Sequence, residues 1–554
     1  MTNARVWLFL VFGTWITVSA ASLAFSPPAA EPFPGPPPIT PRWAFEPWVW
    51  EDNTNTLAST VDLVDGYLAR DIPVGAVIVD SPWETCYNNF EWDTSRYPNP
   101  QGMIDAFHAR RIRVVLWITG FVNRNCPAYA FVKANGYAVN NGQDFPWWKG
   151  TGVHIDFTSI RARRWWHGKM DNVLDMGVDG WKVDESAARV SDPVRTSIGT
   201  ISRDDFKRYY YADFFDYSTG RSPLAVNLAR PYSTRQRGVG ASVSKLSVGW
   251  SGDFPGNFTG LTGQMRDVYE SSLRGYGAPG VEVGGYSQVK PTRRSLTRYA
   301  QFGALTPLME NGGQNGGLRE HLPWHWGPAT TDIYRYFATL HSELVPYLFS
   351  YGVEAHLTRK SIVRGADKVK SHHRLGEQLF VSVLTSDVTS KTVHFPSGST
   401  WIDYWNEASV HAGGSRAAYR VPLERYPIFI RAGAIIPMNV RNGVTGHGSS
   451  SSRGATTLLI YPQGMSNFTF HRPLEDGIGY ADVRIVVDES RGTISVDADR
   501  PSRYLLRVKS FDRPSSVTGA DSWSYDAERR YVVVARAGRD FKVAIEGMRG
   551  YGNP

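Results

Sequence analysis

Two short stretches of this 554-residue chain end in acids that could act together. Gly180-Trp181-Lys182-Val183-Asp184-Glu185 is an apolar run that closes on an acidic pair. Val248-Gly249-Trp250-Ser251-Gly252-Asp253 closes on a single Asp 69 positions after Asp184. If both runs are strands opening on one mouth, Asp184 and Asp253 supply the two carboxylates that cleavage of a glycosidic bond requires. One must stay ionised to attack the anomeric carbon. The other must hold a proton for the leaving oxygen, which calls for burial or a charged neighbour. Retention of configuration needs the two close, at about 5–5.5 Å. Lys182 and Asp184 sit two apart on a strand and share a face, so Lys182 can keep Asp184 ionised or bind a hydroxyl. Each Asp taken singly also fits a strand-end turn or a helix cap, and spacing alone does not separate these readings.

The elements around these acids alternate. Nine candidate strands run through Trp48–Trp50, Ala76–Asp80, Val114–Thr119, Val153–Phe157, Gly180–Asp184, Leu224–Ala229, Ser247–Gly252, Gly280–Gly285 and Leu305–Met309. Helical patterns over Gly102–Arg111, Ile160–Met176 and Asp332–Ser350 fall between or after them. Repeated β-α units over about 300 residues predict an α/β architecture, a (β/α)8 TIM barrel, in which one of the nine strands is surplus. After Tyr351 strands become frequent, as in Phe380–Leu384, Thr392–Phe395, Pro427–Ala432 and Ala434–Pro437, and Gly and Ser mark the turns. The expected layout is a catalytic barrel over 43–350, a proximal β-sandwich over 351–441, and a Gly/Ser-rich linker with a distal β domain over 442–554.

Several motifs, in order along the chain, resemble glycoside hydrolase family 31. Pro41-Arg42-Trp43-Ala44 is similar to the start of that family's barrel, and Asp156-Phe157-Thr158 precedes a helix with paired Trp165-Trp166. Asp179-Gly180-Trp181-Lys182-Val183-Asp184 resembles its nucleophile strand, and Trp250-Ser251-Gly252-Asp253 its acid/base motif. Gly284-Gly285-Tyr286, Arg298-Tyr299-Ala300-Gln301 and Arg431-Ala432-Gly433-Ala434-Ile435-Ile436-Pro437 resemble later signatures. The resemblance implies a retaining α-glycosidase with Asp184 as nucleophile and Asp253 as general acid/base. It also implies an oligosaccharide or glycoside substrate and no cofactor. Asp80, Trp83, Trp117, Trp147, Lys182, Arg230 and Trp250 are then the expected sugar-binding residues. Trp83-Glu84-Thr85-Cys86 and Asn123-Arg124-Asn125-Cys126 are similar to the paired-cysteine segments of the myogenesis-regulating glycosidase branch. That likeness implies a Cys86–Cys126 disulfide and an α-galactoside substrate. Glu310 and Gly312 stand near positions where many members carry Arg and His, which argues against ordinary α-glucosidase specificity; Arg319 and His321 are the residues that could compensate. A transglycosylase or lyase on the same scaffold, or a non-catalytic carbohydrate-binding protein, are the alternatives.

Composition narrows the remaining classes. Aromatic content of 13%, with 19 Trp, suits sugar stacking as well as a large core. The +8 formal charge is scattered, with Arg161-Ala162-Arg163-Arg164 the densest stretch and no basic tract, so nucleic acid is not the expected partner. Gly275-Tyr276-Gly277-Ala278-Pro279-Gly280 fits a dinucleotide pattern but precedes a strand instead of following one. His372-His373 is an adjacent pair and no HxH or HExxH spacing occurs, so no metal is expected. Residues 1–24 carry Arg5 and an apolar run with Val18-Ser19-Ala20 as a cleavage site. They read as a signal peptide of a secreted or periplasmic/luminal protein, or as an uncleaved membrane anchor. Residues 25–42 read as a stiff, exposed, Pro-rich spacer.

Overall fold

The computed structural model describes residues 31–234, 238–286, 289–312 and 319–552. The apolar segment 1–24 lies outside them. Eight parallel strands close into a barrel: β1 Trp48–Glu51, β2 Ala76–Val79, β3 Arg113–Ile118, β4 Gly180–Val183, β5 Val226–Ala229, β6 Val248–Trp250, β7 Pro279–Val283 and β8 Met309–Gly312. Each pairs with its neighbours in sequence, and β8 returns to β1 with Glu310 opposite Trp48. Strands such as Ala-Val-Ile-Val in β2 are buried throughout, as a parallel sheet covered on both faces demands.

Six helices that follow barrel strands begin on a Ser, Thr or Asn whose side chain accepts an orphan backbone N–H: Thr56, Asn99, Ser159, Ser202, Asn257 and Thr292. Each such cap stabilises its helix by about 1 kcal/mol and fixes where the loop above the barrel ends.

Three sequence expectations shift. The surplus strand is the one expected at Val153–Phe157: Gly150–His154 is the middle of a small antiparallel sheet with Phe121–Asn123 and Phe145–Trp147, built on the long loop after β3. The last barrel strand starts at Met309, because Leu305 and Thr306 still donate to Phe302 and Gly303 in the turn that ends the preceding helix. The single helix expected over Asp332–Ser350 is two, Pro328–Glu343 and Val345–Thr358, which break at Leu344 where Pro346 removes a backbone donor.

The Pro-rich segment is not an exposed spacer over its described part. Among the described residues, β5 is the barrel strand followed by no α-helix; only the short turn Val243–Lys245 precedes β6. Residues 31–40 lie against that flank. Thr40 donates to Ser247 O at 2.7 Å, Ser244 donates to Phe33 O at 2.7 Å, and His356 Nδ1 lies 2.9 Å from Pro37 O. Phe33 meets Tyr209 edge-on at 5.2 Å, and Arg208 pairs with Glu31 at 3.1 Å. The proline string therefore stands where the missing helix would pack. Its restricted backbone lowers the entropy lost on ordering it.

Beyond the barrel, a six-stranded antiparallel sheet runs from Val363–Asp367 to Asn406–Ala412 and is faced by the pair Ser390–His394 and Arg416–Arg420. Ile435–Met438, expected in this proximal sandwich, instead pairs with Thr456–Ile460 and joins the distal eight-stranded sheet. The Arg298-Tyr299-Ala300-Gln301 segment joins barrel and sandwich. Arg298, 2% exposed, donates to the carbonyls of Val421, Pro422 and Arg425, and Gln301 donates to Leu423 O at 2.7 Å.

Candidate active site

The C-terminal ends of the barrel strands open into a cavity of about 560 Å³. Alternation along β4 divides its residues. Trp181 points outward to Ser218 Oγ at 3.0 Å, whereas Lys182 and then Asp184 face inward. Asp184 Oδ1 accepts from the Glu185 amide at 2.8 Å, and its Oδ2 from Trp117 Nε1 at 3.2 Å. Asp253 follows β6, and its side chain is 47% exposed at the cavity mouth.

Arg230, at the end of β5, links the two acids. Its Nη2 lies 3.2 Å from Asp184 Oδ1 and 2.8 Å from Asp253 Oδ1. The two Oδ1 atoms therefore lie no more than about 6 Å apart, the sum of those contacts. Burial pushes the Asp184 carboxyl up, but Arg230, the Glu185 amide, Lys182 and the Trp117 N–H outweigh it and hold it below the usual aspartate range. The guanidinium also explains Gly252 in the Trp-Ser-Gly-Asp turn. Gly252 has φ +86°, and a Cβ there would stand 2.2 Å from Arg230 Nη1.

The floor is acidic. Lys182 Nζ donates to Asp80 Oδ2 at 3.1 Å and lies 3.5 Å above the Trp50 ring. Burial would lower the Lys182 ammonium, but Asp80, Glu310, Glu282 and Asp184 raise it, so it stays charged. Asp52, Asp80, Glu282 and Glu310 are each at most 4% exposed. Burial, with the neighbouring Asp80, pushes Asp52 to about 7 despite the Tyr286 hydroxyl that donates to it at 2.7 Å. Burial also pushes Glu310 to about 7 against the pull of Lys182, and it lifts Glu282, beside Glu310, well above the carboxylate range. One Glu282 oxygen and both Glu310 oxygens are buried without a hydrogen-bond partner. Of the two, Glu282 lines the cavity, where a protonated acid can donate to a sugar hydroxyl as well as accept from one.

Of the expected sugar-binding residues, Asp80, Trp117, Lys182, Arg230 and Trp250 line the cavity with Asp184 and Asp253. Trp83 and Trp147 do not. Trp83 is fully buried behind the wall, donating to Trp117 O at 2.7 Å and packed edge-on to Trp92. Trp147 stacks on Phe121 at 5.0 Å and donates to Asn123 Oδ1 at 2.6 Å. The next residue, Trp148, turns to the opposite side and reaches the mouth, 41% exposed. Arg319 and His321 do not line the cavity either. Arg319 donates to His325 at 3.0 Å near the surface, and His321 is buried beneath Gly284. At position 312 a Cβ would fall 1.7 Å from the Trp50 indole, so Trp50 fills the space a side chain there would take. Cys86 and Cys126 form a disulfide that ties the loops after β2 and β3 beside the cavity.

Trp50, Asp52, Trp148, Glu282 and Tyr286 are cavity residues that sequence reasoning did not single out as binding groups. Asp52 and Tyr286 are 234 positions apart and meet only because β7 and β8 close the ring onto β1. The one usable signal was position: Asp52 and Tyr286 follow the C-terminal ends of barrel strands.

The fold is a parallel barrel with two acids held at its mouth by one arginine, and sequence comparison gives the family. Residues 37–351 match the Glycosyl hydrolases family 31 TIM-barrel domain and 364–436 the Glycosyl hydrolase family 31 C-terminal domain. The chain belongs to glycosyl hydrolase family 31. It is 23% identical to an isomaltosyltransferase of Sporosarcina globispora, over 90% of this chain and 52% of that protein. It is 23% identical to an alpha-xylosidase of Emericella nidulans, over 74% of this chain and 54% of that one. The chain thus spans about half the length of these curated relatives. Its fold superposes on a Flavobacterium johnsoniae dextranase complexed with glucose. The TM-score is 0.80 at 19% identity, covering 92% of this chain and 71% of that one.

Proposed function

We propose that the chain is a retaining α-glycosidase that releases a terminal α-linked sugar by double displacement. The observation that carries this reading is the Arg230 bridge, which keeps Asp184 Oδ1 and Asp253 Oδ1 within about 6 Å. That is near the separation of about 5–5.5 Å of retaining enzymes and short of the roughly 6.5–9.5 Å that leaves room for a water. Asp184 attacks the anomeric carbon while Asp253 protonates the departing oxygen. In the resulting ester Asp184 has lost its charge, and Arg230 acts on Asp253 alone. Asp253 then takes a proton from the incoming water as that water attacks the anomeric carbon and frees Asp184.

The terminal ring sits among Asp80, Lys182, Trp50 and Trp250, which offer hydroxyl partners and apolar faces. The finer assignment, an α-galactoside, is supported by the paired-cysteine segments alone; the relatives named above act, by name, on isomaltosyl and xylosyl groups. The isomaltosyltransferase also supports a second reading, in which an acceptor sugar replaces water at the second step. We further propose that the protein is exported, since a disulfide persists in oxidising compartments.

The test is a panel of aryl α-galactoside, glucoside, xyloside and sulfoquinovoside with Asp184→Ala as control, the product anomer being read by NMR. Release of the α-anomer by the native protein and not by the variant is expected. Initial release of the β-anomer, or activity that survives in the variant, overturns the assignment.

A further inference from the structure

The cavity changes chemistry between floor and mouth. Its floor carries the buried acids around Lys182, whereas its mouth carries Lys149, Arg189 and Arg203 with the exposed Trp148; Lys207 is also in the lining but is buried. The Arg189 guanidinium lies over that indole at 5.3 Å. Among the described residues neither the Arg189 nor the Arg203 guanidinium forms an ion pair; the Asp192 carboxylate accepts only from the Arg203 backbone N–H, at 3.1 Å. Arg203 Nε is buried without a hydrogen-bond partner, and its Nη1 reaches only the Val190 carbonyl at 3.5 Å. Lys149 donates to the neutral Asn53 Oδ1 at 2.5 Å. Lys207 is neutralised by Glu185 and Asp204, each at 3.1 Å, which also removes Glu185 as a partner for the arginines. The mouth therefore holds two arginines with no ion-pair partner among the described residues, beside a lysine whose charge acts on Asp52 and Asp80.

In a pocket that takes a terminal sugar at its floor, whatever lies outward of Asp184 and Asp253 is the leaving group or the acceptor. We infer, resting on the glycosidase reading, that the mouth is a subsite for a leaving group bearing an anionic substituent, a carboxylate or a sulfate ester on the second ring. Trp148 gives that ring an apolar platform, while Arg189 and Arg203 present planar donors that match a carboxylate or sulfate edge. A neutral second ring would leave the Arg203 Nε desolvated and unpaired.

The probes are the 4-carboxyphenyl and 4-sulfophenyl α-glycosides of the sugar found by the panel, compared with the neutral 4-carbamoylphenyl glycoside. The quantity read is the ratio of kcat/KM, anionic over neutral, within each protein. For the native protein it is expected to exceed unity by about tenfold at low salt and to shrink in about 0.5 M NaCl, because an open mouth is screened. Arg189→Gln and Arg203→Gln should each lower the ratio at least about threefold, mainly through KM, and Arg189→Lys should restore part of it. The larger of the carboxylate and sulfonate ratios identifies the anion. A native ratio near one, or a ratio that neither Gln variant moves, overturns the inference while leaving the glycosidase reading intact. A folded protein inert on every glycoside refutes the glycosidase reading and this inference with it.

Discussion

Replacing Arg230 with Met removes the cation that touches both Asp184 and Asp253. At 3.2 Å the bare attraction between Arg230 and Asp184 is about 5 kcal/mol for an effective dielectric near 20, an upper bound because water and Lys182 will partly replace the lost charge. Arginine beside a buried aspartate typically lowers its pKa by about one to three units. The sign follows from the direction of the shift. Asp184 is held low in the native protein, so losing the cation raises it, and the ionised nucleophile is lost at a higher pH. The assay is the pH dependence of kcat/KM on a 2,4-dinitrophenyl α-glycoside, whose leaving group needs no proton from Asp253. The acid limb then reports Asp184. It should move up in Arg230→Met and by much less in Arg230→Lys, which keeps the charge. Lost sugar binding alone would lower the plateau at every pH and leave the limb in place. An unmoved acid limb in a folded Arg230→Met protein would mean that Arg230 does not control the ionisation of Asp184.

Three other outcomes are expected. Gly252→Ala, with φ +86° and a Cβ 2.2 Å from Arg230 Nη1, should cost about 1–3 kcal/mol of stability and displace the guanidinium, so Tm and kcat/KM should fall together. Glu310→Gln should flatten the decline of Tm with pH. Burial raises Glu310 to about 7, so the native protein loses stability as pH climbs from the unfolded carboxyl range of about 4.3 through 7, and the amide has no proton to lose. The disulfide closes a 40-residue loop, so Cys86→Ser/Cys126→Ser, or reduction, should lower stability by up to about 4 kcal/mol and raise KM more than it lowers kcat; an unchanged Tm would show that the loops hold the wall unaided.

Much of the barrel was legible because each parallel strand is an apolar run that ends in a distinctive residue. The acids Asp184 and Asp253 were readable as strand-end residues for the same reason. The misreadings share a cause, which is that an apolar run records burial and not the sheet that provides it. Val153–Phe157 is as buried as a barrel strand yet belongs to the loop above β3. In Trp147-Trp148 the family resemblance pointed to Trp147 as a sugar-binding residue, but alternation sends that indole into the wall and Trp148 into the mouth. Trp147 lies on the inner side with Phe145, which the period of two could have shown. Asp52, Glu282 and Tyr286 carry no local signal, since their meeting depends on ring closure over more than 200 residues.

The proline string on the β5–β6 flank also bears on how the chain is made. Residues 31–40 leave the ribosome before any barrel strand, yet Ser244 and Ser247, which hold Phe33 and Thr40, lie 211 and 207 positions downstream. At synthesis rates of about 5–20 residues per second, the string waits roughly 10–40 s for a surface on which to dock. Among the described residues, the first stretch to be made cannot be seated on this flank until Ser244 and Ser247 have followed it.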